Sequence, residues 1–375
     1  MKNITIIANA DSFWTQRFIE NVSLPLEHAV TLITATNTKY SDYYCNNGIT
    51  VVETKSKFTY FGHKINALLT SINTLRAINK SKPDLLHVHY AYMYILKVLK
   101  YAFQVPNTII TYWGSDLLRT STPELQSVKE VVSNASCIVV MTKELKEKLL
   151  QVYGDSVRNK VSIIDMGISA FKNIDQRRNN PIECRQRVIG DEFKDKIVIT
   201  IGYNAGKAQQ HDKVLESLNG LPAYIKKKIM IVLPLTYQRD DTQYLNSLQN
   251  LLNNMQVNSV CISDFMNNDQ IADLCISTDI FINAQTTDAL SSSMIEQFYA
   301  NSTVLNGEWL NYSYLKELGV KYYTFHDFDS LAEIVCKLVK ENSFKSDCSC
   351  NLNIIKKSFS WEVSRKKWED VYSKF

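Results

Sequence analysis

The feature that most constrains the fold is a repeated alternation between short apolar segments and stretches with helical spacing. In the first part of the chain the apolar segments are "NITIIAN", "AVTLITA", "ITVVETK", "DLLHVHY", "NTIITYW", "CIVVMT" and "KVSIID". Strands that are apolar along their whole length are typical of a sheet buried on both faces. The alternation therefore predicts an α/β fold in which helices cover both sides of a parallel sheet.

The alternation is interrupted once, between "DMGI" and "KIVITIGYNAG". Residues 169–195 are polar and charged, and we interpret them as a linker followed by a short helix. Further strands are then predicted at "KIVITIG", "KIMIVLPL", "NSVCISDF", "DIFINA" and "STVLNG". The chain has 375 residues, enough for two cores. We therefore predict two domains, 1–171 and 172–359.

Composition excludes several other classes of protein. The net charge is +4 with both signs spread along the chain, and no nucleic-acid-binding motif occurs. This slight basic excess suits an anionic substrate or a membrane surface. The N-terminal apolar run is too short for a signal peptide, and no run approaches the roughly 18 residues of a membrane-spanning helix. The eight cysteines are scattered without a zinc pattern, so we expect reduced thiols in a cytosolic protein.

Loops at the carboxyl ends of parallel strands are the candidate ligand sites. One such loop, "QTTDALS", leads from "DIFINA" into the helical stretch "SSMIEQFYAN". Serines at a helix start, with the helix dipole, favour a phosphate, and Glu296 could reach a ligand hydroxyl. The alternative is that Ser293 and Glu296 form a capping box, which needs no ligand. Asp288 favours a binding site, because an acid at a strand end has less structural reason to be there.

The second candidate loop is "IGYNAGKAQQHDKVLESL". Gly202, Asn204 and Gly206 tolerate the backbone angles of an anion-binding turn, and Lys207 adds a positive charge. The glycine spacing is not that of a Walker loop. The alternative is an ordinary turn followed by a solvated lysine.

Two more loops follow strands in the first domain. In "TIITYWGSDLLRTS", Trp113 and Arg119 suit a sugar ring and an anionic group, whereas Asp116, like the serine before it, can cap the next helix. In "LLHVHYAYMY", His87 and His89 share one strand face. No third metal ligand is apparent, and a packed core position is the simpler interpretation of His87. A serine nucleophile has no support, because G-x-S-x-G does not occur.

The stretch "TDALSSSMIEQFYANSTVL" resembles the E-x7-E region of retaining glycosyltransferases of family 4, with Asp288 as the first acid and Glu296 as the second. "DLLHVHY", "IITYWGSDLLR", "SIIDMGI", "IGYNAG" with "HDKVLESL", and the terminal "FSWEVSRKKWEDVY" follow that family's order. "GYNAGKAQQH" and "VLPLTY" also resemble the enterobacterial fucosamine transferases of common-antigen synthesis. The resemblance spans nearly the whole chain.

This resemblance implies a GT-B fold of two facing Rossmann-like domains with a cleft between them, and a C-terminal helix, 360–375, that crosses back to the first domain. It also implies roles for individual residues. Asp288, Lys207 and His89 would be catalytic; Glu296, Gly202, Asn204, Gly206, Leu290, Ser291, Ser292 and Phe265 would bind the donor; Trp113, Gly114, Asp116 and Arg119 would bind the acceptor. Glu296 would bond the nucleotide ribose, Asp288 the donor sugar, and Lys207 the diphosphate.

Three departures from the family pattern leave the donor sugar and the acid–base details open. The first Glu of the family is Asp288, only Lys207 remains of an Arg and Lys pair, and Trp113 replaces the histidine of the family's "HG". No D-x-D motif stands in a donor loop, so no metal or other cofactor is expected. In such enzymes the leaving phosphate is thought to accept the acceptor's proton.

The expected function is transfer of a sugar from a nucleotide sugar to a lipid-linked saccharide, in bacterial surface polysaccharide synthesis such as lipopolysaccharide, O-antigen or capsule. Two alternatives are a sugar-nucleotide epimerase and a non-catalytic nucleotide-sugar-binding subunit. We expect peripheral attachment to the cytoplasmic membrane face through residues 55–69. There Lys55, Lys57 and Lys64 alternate with Phe58, Tyr60 and Phe61. Core aromatics beside a solvated lysine face would be the simpler explanation of this segment.

Overall fold

The computed structural model describes residues 2–56, 63–102, 107–288, 290–341 and 349–375. The chain divides into two compact units. The first unit comprises Met1–Gly167 and Trp361–Phe375, and the second comprises Ile168–Ser360. Each unit contains one sheet whose strands all run parallel, as the continuously apolar segments predict.

The sheet of the first unit has seven strands in the order β3-β2-β1-β4-β5-β6-β7. They are β1 Asn3–Ile7, β2 Ala29–Thr34, β3 Thr50–Glu53, β4 Leu85–Val88, β5 Thr108–Tyr112, β6 Cys137–Val140 and β7 Val161–Ile163. The helices of this unit are Phe13–Phe18, the π-helix Ile19–Ser23, Ser41–Asn46, His63–Ser81, Met93–Leu99, Ser115–Leu118, Thr122–Gln126, Lys129–Asn134, Lys143–Tyr153, the 3-10 helix Asp155–Lys160, and Trp361–Ser373. The strand order reverses between β1 and β4, which makes their carboxyl ends the expected ligand side.

The sheet of the second unit has six strands in the order β10-β9-β8-β11-β12-β13. They are β8 Ile197–Ile201, β9 Ile229–Pro234, β10 Asn258–Ile262, β11 Ile280–Asn283, β12 Thr303–Gly307 and β13 Tyr323–Phe325. The helices are Phe171–Arg177, Pro181–Ile189, the 3-10 helices Asp191–Phe193 and Lys207–Gln209, His211–Asn219, Ala223–Lys226, Thr242–Met255, Asn268–Ser277, Ser292–Ala300, Ser313–Glu317, Phe328–Glu341 and Asn351–Phe359. Here the order reverses between β8 and β11, the two strands that precede both candidate donor loops.

The polar segment 169–195 is not a linker. It forms two α-helices and a short 3-10 helix, and the α-helices pack within the second unit. Arg177 from the first α-helix and Arg187 from the second both bond Asp273, at 2.9 and 2.7 Å. The segment contains many charges because its arginines bind acids that lie far along the chain, which composition alone does not reveal.

The last helix of the chain packs on the first unit. Trp368 is fully buried, and its ring lies 5.0 Å from those of Phe18 and His87. At the entry to this helix, Trp361 lies so close to Gly167 that a Cβ there would be 2.6 Å from its Cα. Only glycine fits this crossing. Within the described ranges, no helix is long and apolar enough to cross a membrane.

Candidate functional site

The loop after β8 is a tight turn that depends on its glycines. Gly202 has φ +61°, a left-handed conformation, and a Cβ there would lie 2.8 Å from the polar ends of Gln209 and His211. The side chain of Asn204 accepts a hydrogen bond from the Gly206 N–H at 2.8 Å, which closes the turn. The predicted strand–turn–helix is therefore present, and it brings two buried polar side chains against Gly202.

Lys207 lies on the outer side of this turn. Its ammonium pairs with Asp241 at 2.7 Å, and its side chain is 65% exposed. Asp241 also caps the Thr242–Met255 helix by accepting from the Tyr244 N–H. This pair was not predictable from the sequence, because Asp241 follows a different strand.

The loop after β11 is anchored through Asp288. One carboxylate oxygen accepts hydrogen bonds from the Ser291 N–H at 2.9 Å and from the Tyr312 hydroxyl at 2.7 Å. The Tyr312 hydroxyl in turn accepts from the Asn283 amide at 2.9 Å, and that amide also donates to Asn306 at 3.0 Å. A buried polar chain thus links the ends of β11 and β12 to the start of the next helix. It fixes Asp288 at the carboxyl edge of the sheet.

The helix Ser292–Ala300 begins one residue before Ser293, the serine that the capping-box alternative placed at the N-cap. Ser291 is the N-cap, and its hydroxyl accepts from the Met294 N–H at 3.0 Å. The alternative interpretation, a capping box formed by Ser293 and Glu296, is therefore wrong, because Ser293 already lies inside the helix. Leu290 and Ser292 are partly buried on either side of the cap.

Glu296 is buried, and burial makes the ionised form of a carboxyl group unfavourable. Only 9% of the residue is exposed, and burial raises its pKa to about 8. Without a capping role, its burial has no explanation in the local structure of the helix. A buried acid with a strongly shifted pKa at a strand-end site is a candidate for ligand binding.

Tyr237, in the loop after β9, joins these groups. Its hydroxyl accepts from the Asn204 amide at 3.4 Å, and its backbone carbonyl accepts from the Ala205 N–H at 2.9 Å. Burial raises the pKa of Tyr237, and the negative charges of Glu296 and Asp288 raise it further. The loops after β8, β9 and β11 therefore converge. Tyr237 was not a predicted site residue, although it ends the strand segment "VLPLTY".

Three more aromatic residues lie at the same edge of the sheet. Phe265 follows β10 and is 65% exposed. Trp309 follows β12 and donates its indole N–H to the Gln285 carbonyl at 2.6 Å, while the Gln285 side chain donates to the Tyr203 hydroxyl at 2.8 Å. Such rings provide apolar faces with polar ends, as sugar and nucleotide ligands require.

In the first unit, Asp116 holds a loop together. Its carboxylate accepts from the N–H groups of Trp113 at 3.0 Å, Gly114 at 2.9 Å and Ala91 at 3.2 Å. Burial raises its pKa to about 6, and these N–H groups oppose the rise. The expectation that Asp116 or Ser115 caps the following helix is wrong, since Gly114 occupies that position and no side chain caps it. Asp116 instead joins the loops after β4 and β5.

The histidines of β4 differ in their contacts. His87 bonds the hydroxyls of Tyr372 at 2.9 Å and Thr111 at 2.8 Å, so it is the packed core histidine that we expected. His89 is 2% exposed, and neither ring nitrogen has a hydrogen-bond partner within the described part of the chain. Burial lowers its pKa to about 3, so the ring is neutral at physiological pH. The indole N–H of Trp113 donates to the His89 carbonyl, and Arg119 is exposed.

Residues 3–142 match the sequence family described as "Glycosyl transferase 4-like". No curated protein sequence matches the chain. Solved structures with a similar fold include HepE from Anabaena, in complex with UDP and glucose, with a TM-score of 0.77 at 11% identity and 100% of both chains covered. A glycosyltransferase from Rickettsia africae gives 0.75 at 14%, covering 99% of this chain and 97% of that one. WaaG, a glycosyltransferase involved in lipopolysaccharide biosynthesis, gives 0.71 at 12%, covering 98% and 99%.

The chain therefore has the GT-B fold, as the resemblance implied, and the match to the glycosyl transferase 4-like model lies in the first unit. The second unit contains the converging strand-end loops after β8, β9 and β11. Within the described residues there is no cluster of three or more His, Cys, Asp or Glu side chains suited to a metal ion.

Proposed function

We propose that the chain is a retaining, metal-independent glycosyltransferase that takes its sugar from a nucleotide sugar. The observation that carries this proposal is Glu296, a buried acid without a capping role beside the β8–β11 switch point. Its carboxyl is suited to bond the ribose hydroxyls of the nucleotide. Asp288, fixed by Ser291 and Tyr312, is suited to bond the donor sugar.

The reaction needs a site for the charge that develops on the leaving diphosphate. The start of the nine-residue helix Ser292–Ala300 offers backbone N–H groups and the positive end of the helix dipole. In the transfer, the bond from the anomeric carbon to the phosphate oxygen breaks, and a bond to the acceptor oxygen forms on the same face. The acceptor's proton goes to the departing phosphate oxygen. This route requires no protein base, which agrees with His89, because burial lowers its pKa to about 3 and makes the ring a weak base.

The proposal is tested with a panel of nucleotide sugars, first by thermal shift and then by donor hydrolysis, with and without EDTA. We expect at least one donor to raise the unfolding temperature and to be hydrolysed at the same rate in EDTA. A loss of turnover that magnesium restores would contradict metal independence. Binding without hydrolysis or transfer would favour a non-catalytic subunit, and a changed sugar in the released nucleotide would favour an epimerase.

For the acceptor, we propose a lipid-linked saccharide in the synthesis of a bacterial surface polysaccharide. Support comes from the similarity to WaaG and from the likeness of "GYNAGKAQQH" to fucosamine transferases. HepE binds UDP and glucose, which favours a UDP-sugar among the first donors to test. A lipid-linked acceptor requires the enzyme to reach the cytoplasmic face of a membrane.

We propose that the helix His63–Ser81 contributes to this attachment. Ile65, Leu68 and Ile72 are 47%, 61% and 36% exposed, and their spacing places them on one helix face. The helix has no acidic residue, and Lys64 is exposed beside this face. Apolar side chains flanked by cations suit a surface of anionic lipid. Lys57, Phe58, Tyr60 and Phe61, which belong to the predicted membrane segment, lie outside the described residues.

Changing both Ile65 and Leu68 to Glu is expected to abolish sedimentation with liposomes containing phosphatidylglycerol at low salt. The substitution removes apolar contacts and adds two negative charges to the proposed contact face. Ile182→Glu is the matched control, because Ile182 is 61% exposed, as is Leu68, but lies in the second unit. If both variants sediment like the wild-type protein, this helix is not the membrane contact.

A further inference from the structure

Three tyrosines stand in a row directly after β4. The ring centroids of Tyr90 and Tyr92 are 4.4 Å apart, and those of Tyr92 and Tyr94 are 5.7 Å apart, with interplanar angles of 38° and 37°. Tyr90 and Tyr92 are partly exposed, and Tyr94 is 40% exposed. In contrast, Tyr112 on the neighbouring strand is fully buried. The exposed row therefore has no role in the core of the sheet.

The row is held in place by the neighbouring loop. The Tyr90 hydroxyl bonds the Ser115 hydroxyl at 2.8 Å, and the Ala91 N–H donates to the buried Asp116 carboxylate. Tyr92 is the N-cap residue of the Met93–Leu99 helix, so its backbone is also fixed. Rings that are ordered before a ligand arrives lose little conformational freedom on binding.

We propose that Tyr90, Tyr92 and Tyr94 form a platform that binds the saccharide of the acceptor at the carboxyl end of β4. The inference rests on the proposed transferase function and specifies its acceptor site. Tyrosine faces pack against the C–H faces of sugar rings, and the hydroxyl groups exchange hydrogen bonds with sugar hydroxyls. The position fits, because β4 is one of the two strands at which the order of the first sheet reverses.

A cation stands beside one end of the platform. Arg119 is exposed, its backbone N–H donates to the carbonyl of Ser115, and its charge opposes the rise that burial causes in the pKa of Tyr90. Its guanidinium can pair with an anionic group attached to the saccharide, such as a phosphate. The contact of Trp113 with a sugar ring stays a prediction beside the platform, since Trp113 is partly exposed in the same loop. The indole N–H of Trp113 is already bonded to the His89 carbonyl.

The platform also differs from the membrane face proposed above. Its exposed side chains are aromatic and carry hydroxyls, whereas Ile65, Leu68 and Ile72 on the His63–Ser81 helix are aliphatic. Lipid chains offer no hydrogen-bond partners for three phenol hydroxyls. The chemistry therefore favours a polar ligand with flat apolar faces, which describes a sugar.

The test uses saturation-transfer-difference NMR without any donor, so that its failure is distinct from failure of the transferase proposal. The probes are methyl α- and β-glycosides of glucose, galactose, mannose and their N-acetylamino derivatives. We expect at least one glycoside to give a saturable signal with the wild-type protein. Tyr94→Ala should lower that signal about fivefold or more, and Tyr94→Phe should lower it less, because the ring face remains and only the hydroxyl bond is lost.

Tyr101→Ala is the control, because Tyr101 is 68% exposed and lies beyond the other end of the same helix. It should leave the glycoside signal unchanged. Thermal unfolding of each variant shows whether the fold is retained. The proposal is overturned if no glycoside gives a signal with the wild-type protein, or if Tyr94→Ala and Tyr101→Ala have equal effects.

Discussion

Glu296→Gln is expected to weaken nucleotide binding about tenfold and, at alkaline pH, to make the protein more stable than the wild type. Above about pH 8, where Glu296 is ionised, its carboxylate is proposed to accept hydrogen bonds from ribose hydroxyls, and bonds to a charged group are worth roughly 1.5–3 kcal/mol each. Gln has the same shape but no charge, so part of this energy is lost. The same change removes an acid that is only 9% exposed.

The pH dependence follows from the direction of the Glu296 shift. Its pKa is about 8 in the folded protein against an ordinary value of 4.5, so the folded state holds the proton more tightly than the unfolded state. The stability gained from this proton is complete below about pH 4.5 and is lost as the pH rises to about 8. The Gln variant has no such loss, so its advantage should grow across that interval to a few kcal/mol.

Urea unfolding at pH 5, 7 and 8.5, together with nucleotide titration, measures both effects. Glu333→Gln is the control, because Glu333 is an exposed acid in the same unit. It should change neither stability nor affinity. If Glu296→Gln destabilises the protein at every pH and leaves nucleotide affinity intact, Glu296 is a structural residue and the ribose role is wrong.

The strands were predictable because burial on both faces leaves a direct trace in the sequence. Each of the continuously apolar segments contains one of the strands β1–β12. The missed strand is β13, Tyr323–Phe325, at the edge of the second sheet. With three residues and a polar centre, it carries no apolar run. That the two sheets belong to a GT-B fold was predicted from the family resemblance and not from the strand pattern.

The candidate site was predictable only to the level of its loops. From the sequence, any of the three consecutive serines could cap the helix, and only the backbone shows that Ser291 is the N-cap. Asp116 and Lys207 are bound by groups from other strand ends, Ala91 and Asp241, which no local pattern connects to them. Strand-end position is readable from a sequence, whereas the partner of a polar side chain depends on the assembled sheet.

Asp288→Asn is expected to lower kcat on the order of a hundredfold and to change nucleotide affinity less than threefold. As the bond to the phosphate breaks, positive charge develops at the anomeric carbon, and loss of a group that stabilises developing charge costs about this much in other enzymes. Asn keeps an oxygen that can accept from the Ser291 N–H, so the anchoring of the loop at 2.9 Å should survive. What the variant loses is the negative charge that we propose to face the donor sugar.

Tyr312→Phe separates this charge from the anchoring role of Asp288. It removes the hydroxyl that donates to Asp288 at 2.7 Å and leaves the carboxylate in place. Burial and the adjacent carboxylate raise the pKa of Tyr312, so the hydroxyl is protonated and able to donate in the wild type. The Asn283 amide retains its bond to Asn306 at 3.0 Å. We expect Tyr312→Phe to lower kcat about tenfold or less, well short of the Asp288→Asn effect. Equal, small losses of kcat in both variants, with equal losses of thermal stability, would show that Asp288 only anchors the loop.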